Sequence, residues 1–88
     1  MIRPKAVKVT PQPDYCLLVL FSNNERRLFD VKPYLEFKPF NELKNLAIFN
    51  TVAPAGLSIE WIHGQDICPD ELYYNSVPLT TTNEDVQL

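Results

Sequence analysis

The residues best suited to chemistry lie together in the last third of the chain. Between positions 63 and 71 the sequence carries one histidine, one cysteine and three carboxylates: His63, Asp66, Cys68, Asp70 and Glu71. A metal site needs several such ligands converging at fixed distances, and this spacing matches no established metal motif. We therefore expect no metal ion, and we assign the carboxylates to a loop and to the start of a helix.

Catalysis by a nucleophile would require a base beside a serine or cysteine, and a third group to orient that base. Cys68 is near His63 in sequence, but no third group is evident. The chain also has only two glycines, too few for a phosphate-binding loop. The sequence therefore predicts no catalytic residue, no cofactor and no enzymatic activity, and a small metal-dependent hydrolase is the weakest alternative.

The same segment has a second interpretation as a recognition surface. Trp61 is the single tryptophan and ends a predicted strand, and His63, Gly64 and Asp66 follow it in a loop. Loops on a rigid sheet often bind partners, so these four residues are candidate binding residues. The alternative, which we favour, makes Trp61 a core anchor and Asp66 an acceptor for loop amides.

A different kind of site is suggested by the strand predicted over residues 15–21, which is apolar on both faces. A short domain has difficulty covering two apolar faces of one strand. The face that carries Cys16, Leu18 and Leu20 is therefore a candidate interaction face for another protein or for a second copy.

Strands and short helices must position these residues. Alternating patterns predict strands near residues 5–10, 15–21, 26–31, 51–53 and 57–62, with helical stretches near 30–35, 40–49 and from Pro69. Pro11 and Pro13 are expected to end the first strand, and Asn23-Asn24 to form a hairpin turn. The prediction is an α+β fold: a small, mostly antiparallel five-stranded sheet with two or three short helices.

Length and charge set further bounds. The 88 residues predict one domain over 1–78 and a flexible, acidic tail over 79–88. Residues 1–44 hold all eight Lys and Arg, whereas residues 45–88 hold six of the eleven Asp and Glu. We expect the two halves to pair. An acidic chain is a poor nucleic-acid binder. Because the sequence shows no signal-peptide pattern and no apolar span, we expect the protein in the cytoplasm, without a membrane partner. In that compartment Cys16 and Cys68 are expected to be free thiols.

The C-terminal pattern resembles a bacterial family, domain of unknown function 2442. The resemblance is carried by Trp61, Gly64, Asp66-Ile67, Pro69-Asp70 and Leu72-Tyr73, and in the N-terminal half by Val7-Lys8-Val9, Asp14-Tyr15 and the run from Arg27 to Val31. It covers about residues 5–76, and departs at the hairpin, where the family commonly has Asp-Gly or Asn-Gly.

The resemblance implies a small α+β domain without agreed biochemistry. Some relatives carry a helix-turn-helix domain, which implies a regulatory role, and others stand alone beside another small gene, as in a toxin–antitoxin module. The expected function is a non-enzymatic protein-interaction or regulatory module, with a protein partner or self-association. The alternative is a transcriptional regulator that contacts nucleic acid, which is not expected without an added domain.

Overall fold

The computed structural model describes residues 3–79, in which seven strands form two antiparallel sheets. A four-stranded sheet has the order β1-β2-β3-β7, and a three-stranded sheet has the order β4-β5-β6. The strands are β1 Ala6–Gln12, β2 Cys16–Phe21, β3 Arg26–Asp30, β4 Ala53–Ala55, β5 Ser58–Glu60, β6 Asp66–Ile67 and β7 Val77–Pro78. The helices are α1 Leu46–Phe49 and α2 Pro69–Tyr74, with 3-10 turns at Pro13–Tyr15, Lys32–Tyr34 and Phe40–Lys44.

The α+β class and the antiparallel pairing are confirmed, but the prediction of one five-stranded sheet is wrong. The described chain instead divides its strands between two sheets. Two strands were missed, β6 and β7, and each has two residues. A two-residue strand is too short to show an alternating pattern, so its pairing is visible only in three dimensions.

The first strand runs through a proline that was expected to end it. Pro11 lies opposite Leu17 in the register of β1 and β2. Proline is tolerated there because β1 is an edge strand of the four-stranded sheet, where one side of the strand has no ladder to donate to. The residues 80–88 of the predicted tail lie outside the described part, whereas the Leu79 amide donates to the Arg26 carbonyl at 2.9 Å.

The predicted hairpin between β2 and β3 is confirmed. The Phe21 amide donates to the Glu25 carbonyl at 2.9 Å, and the Asn24 amide donates to the Phe21 carbonyl at 2.8 Å. Asn24 has φ +73°, a conformation that asparagine tolerates better than most residues. This turn sets the register in which Leu18 pairs with Leu28.

The core lies on one side of β2. Leu17, Val19 and Phe21 are at most 1% exposed and pack in one cluster with Trp61 from the residue after β5. Trp61 is itself 1% exposed, and its indole N–H donates to the Phe49 carbonyl at 2.9 Å. This bond satisfies the polar atom of the largest core side chain and fixes α1 against the end of β5.

Arg27 ties the C-terminal segment to the four-stranded sheet. Its guanidinium donates to the Ser76 hydroxyl at 2.6 Å, to the Ser76 carbonyl at 2.9 Å and to Glu25 at 3.2 Å. It also lies 4.4 Å from the centroid of the Tyr73 ring. Because the Arg27 side chain is 12% exposed, this geometry uses the planar fork of arginine in a partly desolvated position.

The expectation that the two halves of the chain pair by charge is wrong for most described ion pairs. Arg3 to Asp70, at 2.8 Å, is the one Lys or Arg pair within residues 3–79 that joins the halves. The other Lys and Arg pairs form within residues 1–44, such as Arg27 with Glu25 at 3.2 Å and Lys32 with Asp14 at 3.2 Å. Lys8 and Arg26 have no ion-pair partner among the described residues.

We expect Trp61→Phe to lower the free energy of unfolding by about 2–3 kcal/mol, because it leaves a cavity and a Phe49 carbonyl without its donor. Urea denaturation followed by circular dichroism measures the change. The control is Ile62→Ala, since Ile62 is 69% exposed, and it should change stability by less than about 0.5 kcal/mol. Equal effects of the two substitutions would contradict the core role of Trp61.

We also expect Arg27→Lys to cost about 1–2 kcal/mol, because lysine cannot reproduce the forked contacts to Ser76 and Glu25. Arg26→Lys is the matched control, since the neighbouring arginine is exposed and should change stability by less than about 0.5 kcal/mol. The same denaturation assay compares them. Loss of stability in both variants alike would show that the network around Arg27 is not what holds α2 and β7.

Candidate functional site

The predicted interaction residues lie on the side of the four-stranded sheet that faces away from the core, here called the open face. Cys16, Leu18 and Leu20 alternate along β2 with the fully buried residues. They are half-buried, and none of them belongs to the core or to the apolar side chains packed against it. The open face therefore carries apolar groups for which the described chain provides no covering layer.

The strand register extends this face into three rows that run across the sheet. A basic row, a middle row and a polar row follow one another along the strands. Their members are Lys8, Leu20 and Arg26; Thr10, Leu18, Leu28 and Val77; and Gln12, Cys16 and Asp30. Leu28 is half-buried and Val77 is 62% exposed, so the middle row extends the apolar strip beyond β2.

The basic row lies beside a shallow depression. Lys8, Thr10, Leu18, Leu20 and Arg26 line this depression. Lys8 and Arg26 stand on either side of Leu20, and neither forms an ion pair with any residue in 3–79. Two cations without an ion-pair partner among the described residues therefore border an apolar surface.

The polar row ends in a local charge cluster. The Lys32 ammonium lies 3.0 Å from Asp30 and 3.2 Å from Asp14, and 3.8 Å from the Cys16 sulfur. The hydrogen bonds that Lys32 donates to Asp30 and, second in size, to Asp14 raise the pKa of Lys32 above its usual value. This end of the open face therefore carries two carboxylates against one ammonium, opposite in sign to the basic row.

The favoured interpretation of Trp61 as a core anchor is confirmed, and its alternative role in the second predicted surface is wrong. Its ring lies inside the core at 1% exposure, where no surface ligand can reach it. The Trp61 amide donates to the Gln65 carbonyl at 2.8 Å, and the Gly64 amide donates to the Trp61 carbonyl at 2.9 Å. These bonds close a tight turn in which Gly64 has φ +93°, a value that favours glycine.

The other residues predicted for that surface are exposed but do not converge. His63 Nδ1 lies 2.8 Å from Glu42 Oε1, 21 positions away, rather than beside Asp66. Gln65 is 3% exposed and donates to the same Glu42 oxygen at 3.1 Å and to the Pro39 carbonyl at 3.0 Å. Sequence analysis missed Glu42 because no local pattern links it to the loop, and missed Gln65 because its burial depends on contacts with Pro39 and Glu42, more than 20 positions away.

Across residues 3–79 the structure brings together no group of three or more His, Cys, Asp and Glu that could hold a metal ion. The sequence cluster from His63 to Glu71 is divided between the turn, β6 and the first turn of α2. The same residues include no helix long and apolar enough to cross a membrane.

The contact between His63 and Glu42 predicts how the stability of the fold depends on pH. The hydrogen bond from His63 lowers the pKa of Glu42 below its usual 4.5, with a smaller contribution from Gln65. Because the folded-state pKa is lowered, this contribution to stability is present above pH 4.5 and is lost as the pH falls through the folded-state pKa. Glu42→Gln should therefore make stability fall less steeply in acid.

Carboxyl titration by NMR checks the cause of that shift. In the wild type the Glu42 carboxyl should titrate below pH 4.5, and in His63→Ala its pKa should rise towards that value. An unchanged Glu42 titration in His63→Ala would show that the histidine is not responsible.

Comparison with known proteins supports the resemblance carried by the C-terminal segment. No curated protein and no solved structure matches the chain. A family model described as "Protein of unknown function (DUF2442)" matches residues 6–78, which is most of the chain. The chain therefore belongs to the DUF2442 family.

Proposed function

We propose that this chain is a non-enzymatic protein-interaction module, one half of a two-gene pair of the toxin–antitoxin kind, and that it binds its partner through the open face. The observation that carries the proposal is the uncovered middle of the four-stranded sheet. Leu18 and Leu28 lie directly opposite each other there, outside the core. The proposal gives a role to apolar side chains on two neighbouring strands that do not pack in the core.

The energetic argument is that covering this strip is favourable. Removing about 40–50 Å² of apolar surface from water contributes about 1 kcal/mol, so Leu18, Leu20 and Leu28 each offer a contribution of that size. A flat sheet face presents these side chains already fixed in position, so little conformational entropy is lost on binding. The open face is therefore suited to a protein surface rather than to a small molecule.

The charges indicate the chemistry of the partner. Lys8 and Arg26 border the apolar strip and have no carboxylate partner within the described residues. A partner surface that combines aliphatic side chains with carboxylates at one end would satisfy both features. The cations would increase the association rate and select the orientation, whereas the leucines would provide most of the affinity.

Leu18→Glu tests the proposal. The new carboxylate would lie diagonally across from Lys8 and Arg26 of its own sheet, which favours survival of the fold. Buried in a complex, the same carboxylate would be desolvated, so we expect binding to weaken at least about tenfold. The measurement is co-purification, and then calorimetry, with the product of the adjacent gene.

The matched control is Ile62→Glu, which places the same charge on an apolar residue that is 69% exposed and distant from the open face. It should retain the partner as the wild type does, and circular dichroism should show both variants folded. Retention of the partner by Leu18→Glu at wild-type affinity would refute binding through the open face. Failure of the wild type to bind the neighbouring product would refute the two-gene pair.

A further inference from the structure

The open face has opposite charges at its two ends. The basic row with Arg26 and the polar row with Asp30 are four residues apart along β3, about 13 Å. The middle row with Leu18 lies halfway between them. The two charged ends therefore lie at equal distances from the apolar centre. If a second copy is rotated by 180° so that its strands run in the opposite direction, each charged end meets the end of opposite charge.

A two-fold axis lying in the face and running across the strands would produce that arrangement. Each strand then lies over the same strand of the other copy, running in the opposite direction, and the rows exchange places. Arg26 would lie over Asp30 of the second copy, and Lys8 over Gln12 of the second copy. Leu18 would lie near the axis, where the two copies bring their leucines together.

The other simple two-fold axis runs along the strands and is disfavoured by charge. It would place Lys8 over Arg26 of the second copy, and by symmetry Arg26 over Lys8, so that four cations would gather at one end. Like charges brought together in an interface oppose association and exclude the wrong orientation. The charges of the open face therefore select the axis across the strands.

We infer that a second copy of this chain occupies the open face, in an antiparallel face-to-face dimer centred on Leu18. The inference rests on the proposed function, because it uses the same open face, which the second copy occupies where the proposed partner does not. Symmetry makes every contact occur twice, so at two equivalent positions Arg26 would meet Asp30, which Lys32 already contacts at 3.0 Å.

The size of the face sets the expected strength. Three strands of five to seven residues and the two-residue β7, spaced about 4.8 Å apart, give a footprint of at most about 14 Å by 17 Å. The resulting area of about 240 Å² is well below the roughly 800 Å² per partner that stable complexes bury. We therefore expect a dimer that forms at about 0.1 mM and dissociates on dilution, and that a tighter-binding partner could displace.

Substitutions of Gln12 in both directions test the arrangement. Its side chain makes one long contact, to the Thr10 carbonyl at 3.4 Å, so charge can be introduced without disturbing the fold. In the antiparallel dimer Gln12→Glu would meet Lys8 of the second copy, whereas Gln12→Lys would repel it. We expect the dissociation constant to fall about fivefold in the first variant and to rise about fivefold in the second.

Sedimentation velocity from about 10 µM to about 1 mM, at low ionic strength, measures the dissociation constants. Asn41→Glu and Asn41→Lys are the matched controls, since Asn41 is an exposed polar residue in a turn outside the open face. Both should dimerise as the wild type does. Leu18→Glu should abolish association over the whole range.

The outcomes separate this inference from the proposed function. A wild type that stays monomeric up to 1 mM overturns the dimer, while binding of the neighbouring product, compared in Leu18→Glu and Ile62→Glu, still decides the proposed function. Reversed effects of the two Gln12 variants, or no effect on a dimer that forms, would overturn the antiparallel arrangement.

Discussion

The rest of the structure depends on one constraint: β2 is apolar on both faces, and the described chain buries one of them. Leu17, Val19 and Phe21 direct their side chains into a single core, where they are at most 1% exposed. Covering the opposite face would need another layer of helix or sheet. A chain of 88 residues has little material for it, since small domains bury a smaller fraction of their surface. One face stabilises the fold, and the other remains available.

Two polar anchors decide which face is buried. The Trp61 indole donates to the Phe49 carbonyl and holds the three-stranded sheet and α1 against the core side of β2. Arg27 connects the core side of β3 to Ser76 and Tyr73, which brings α2 and β7 to the edge of the four-stranded sheet. Both contacts are partly or fully desolvated, where hydrogen bonds contribute most and their loss costs most. The loop after Trp61 therefore begins at a residue that is fixed in the core.

The positively charged side chains also fall into two groups, those in ion pairs and those without one. Four of the eight Lys and Arg, all of which lie in the described part of the chain, form ion pairs, as Lys32 does with Asp14 and Asp30. Lys8 and Arg26 project from the open face, where the strand register places Leu20 between them. The uneven charge of the two halves thus expresses a surface pattern more than an internal pairing. This pattern gives the open face a basic end and an end with more carboxylates than ammonium groups.

The sequence by itself determined the features that depend on neighbours a few positions apart. These are the alternation that puts Leu18 and Leu20 on one face of β2, the asparagine turn between β2 and β3, and the start of α2 at Pro69. Tertiary structure decided the division into two sheets, the pairing of β6 with β5 and of β7 with β3, the burial of Trp61 and the contact of His63 with Glu42. Those features join residues 6 to 51 positions apart, and no local period records which of them meet. Their pairing is selected by the packing of the whole core, in which each apolar side chain competes for the same buried volume.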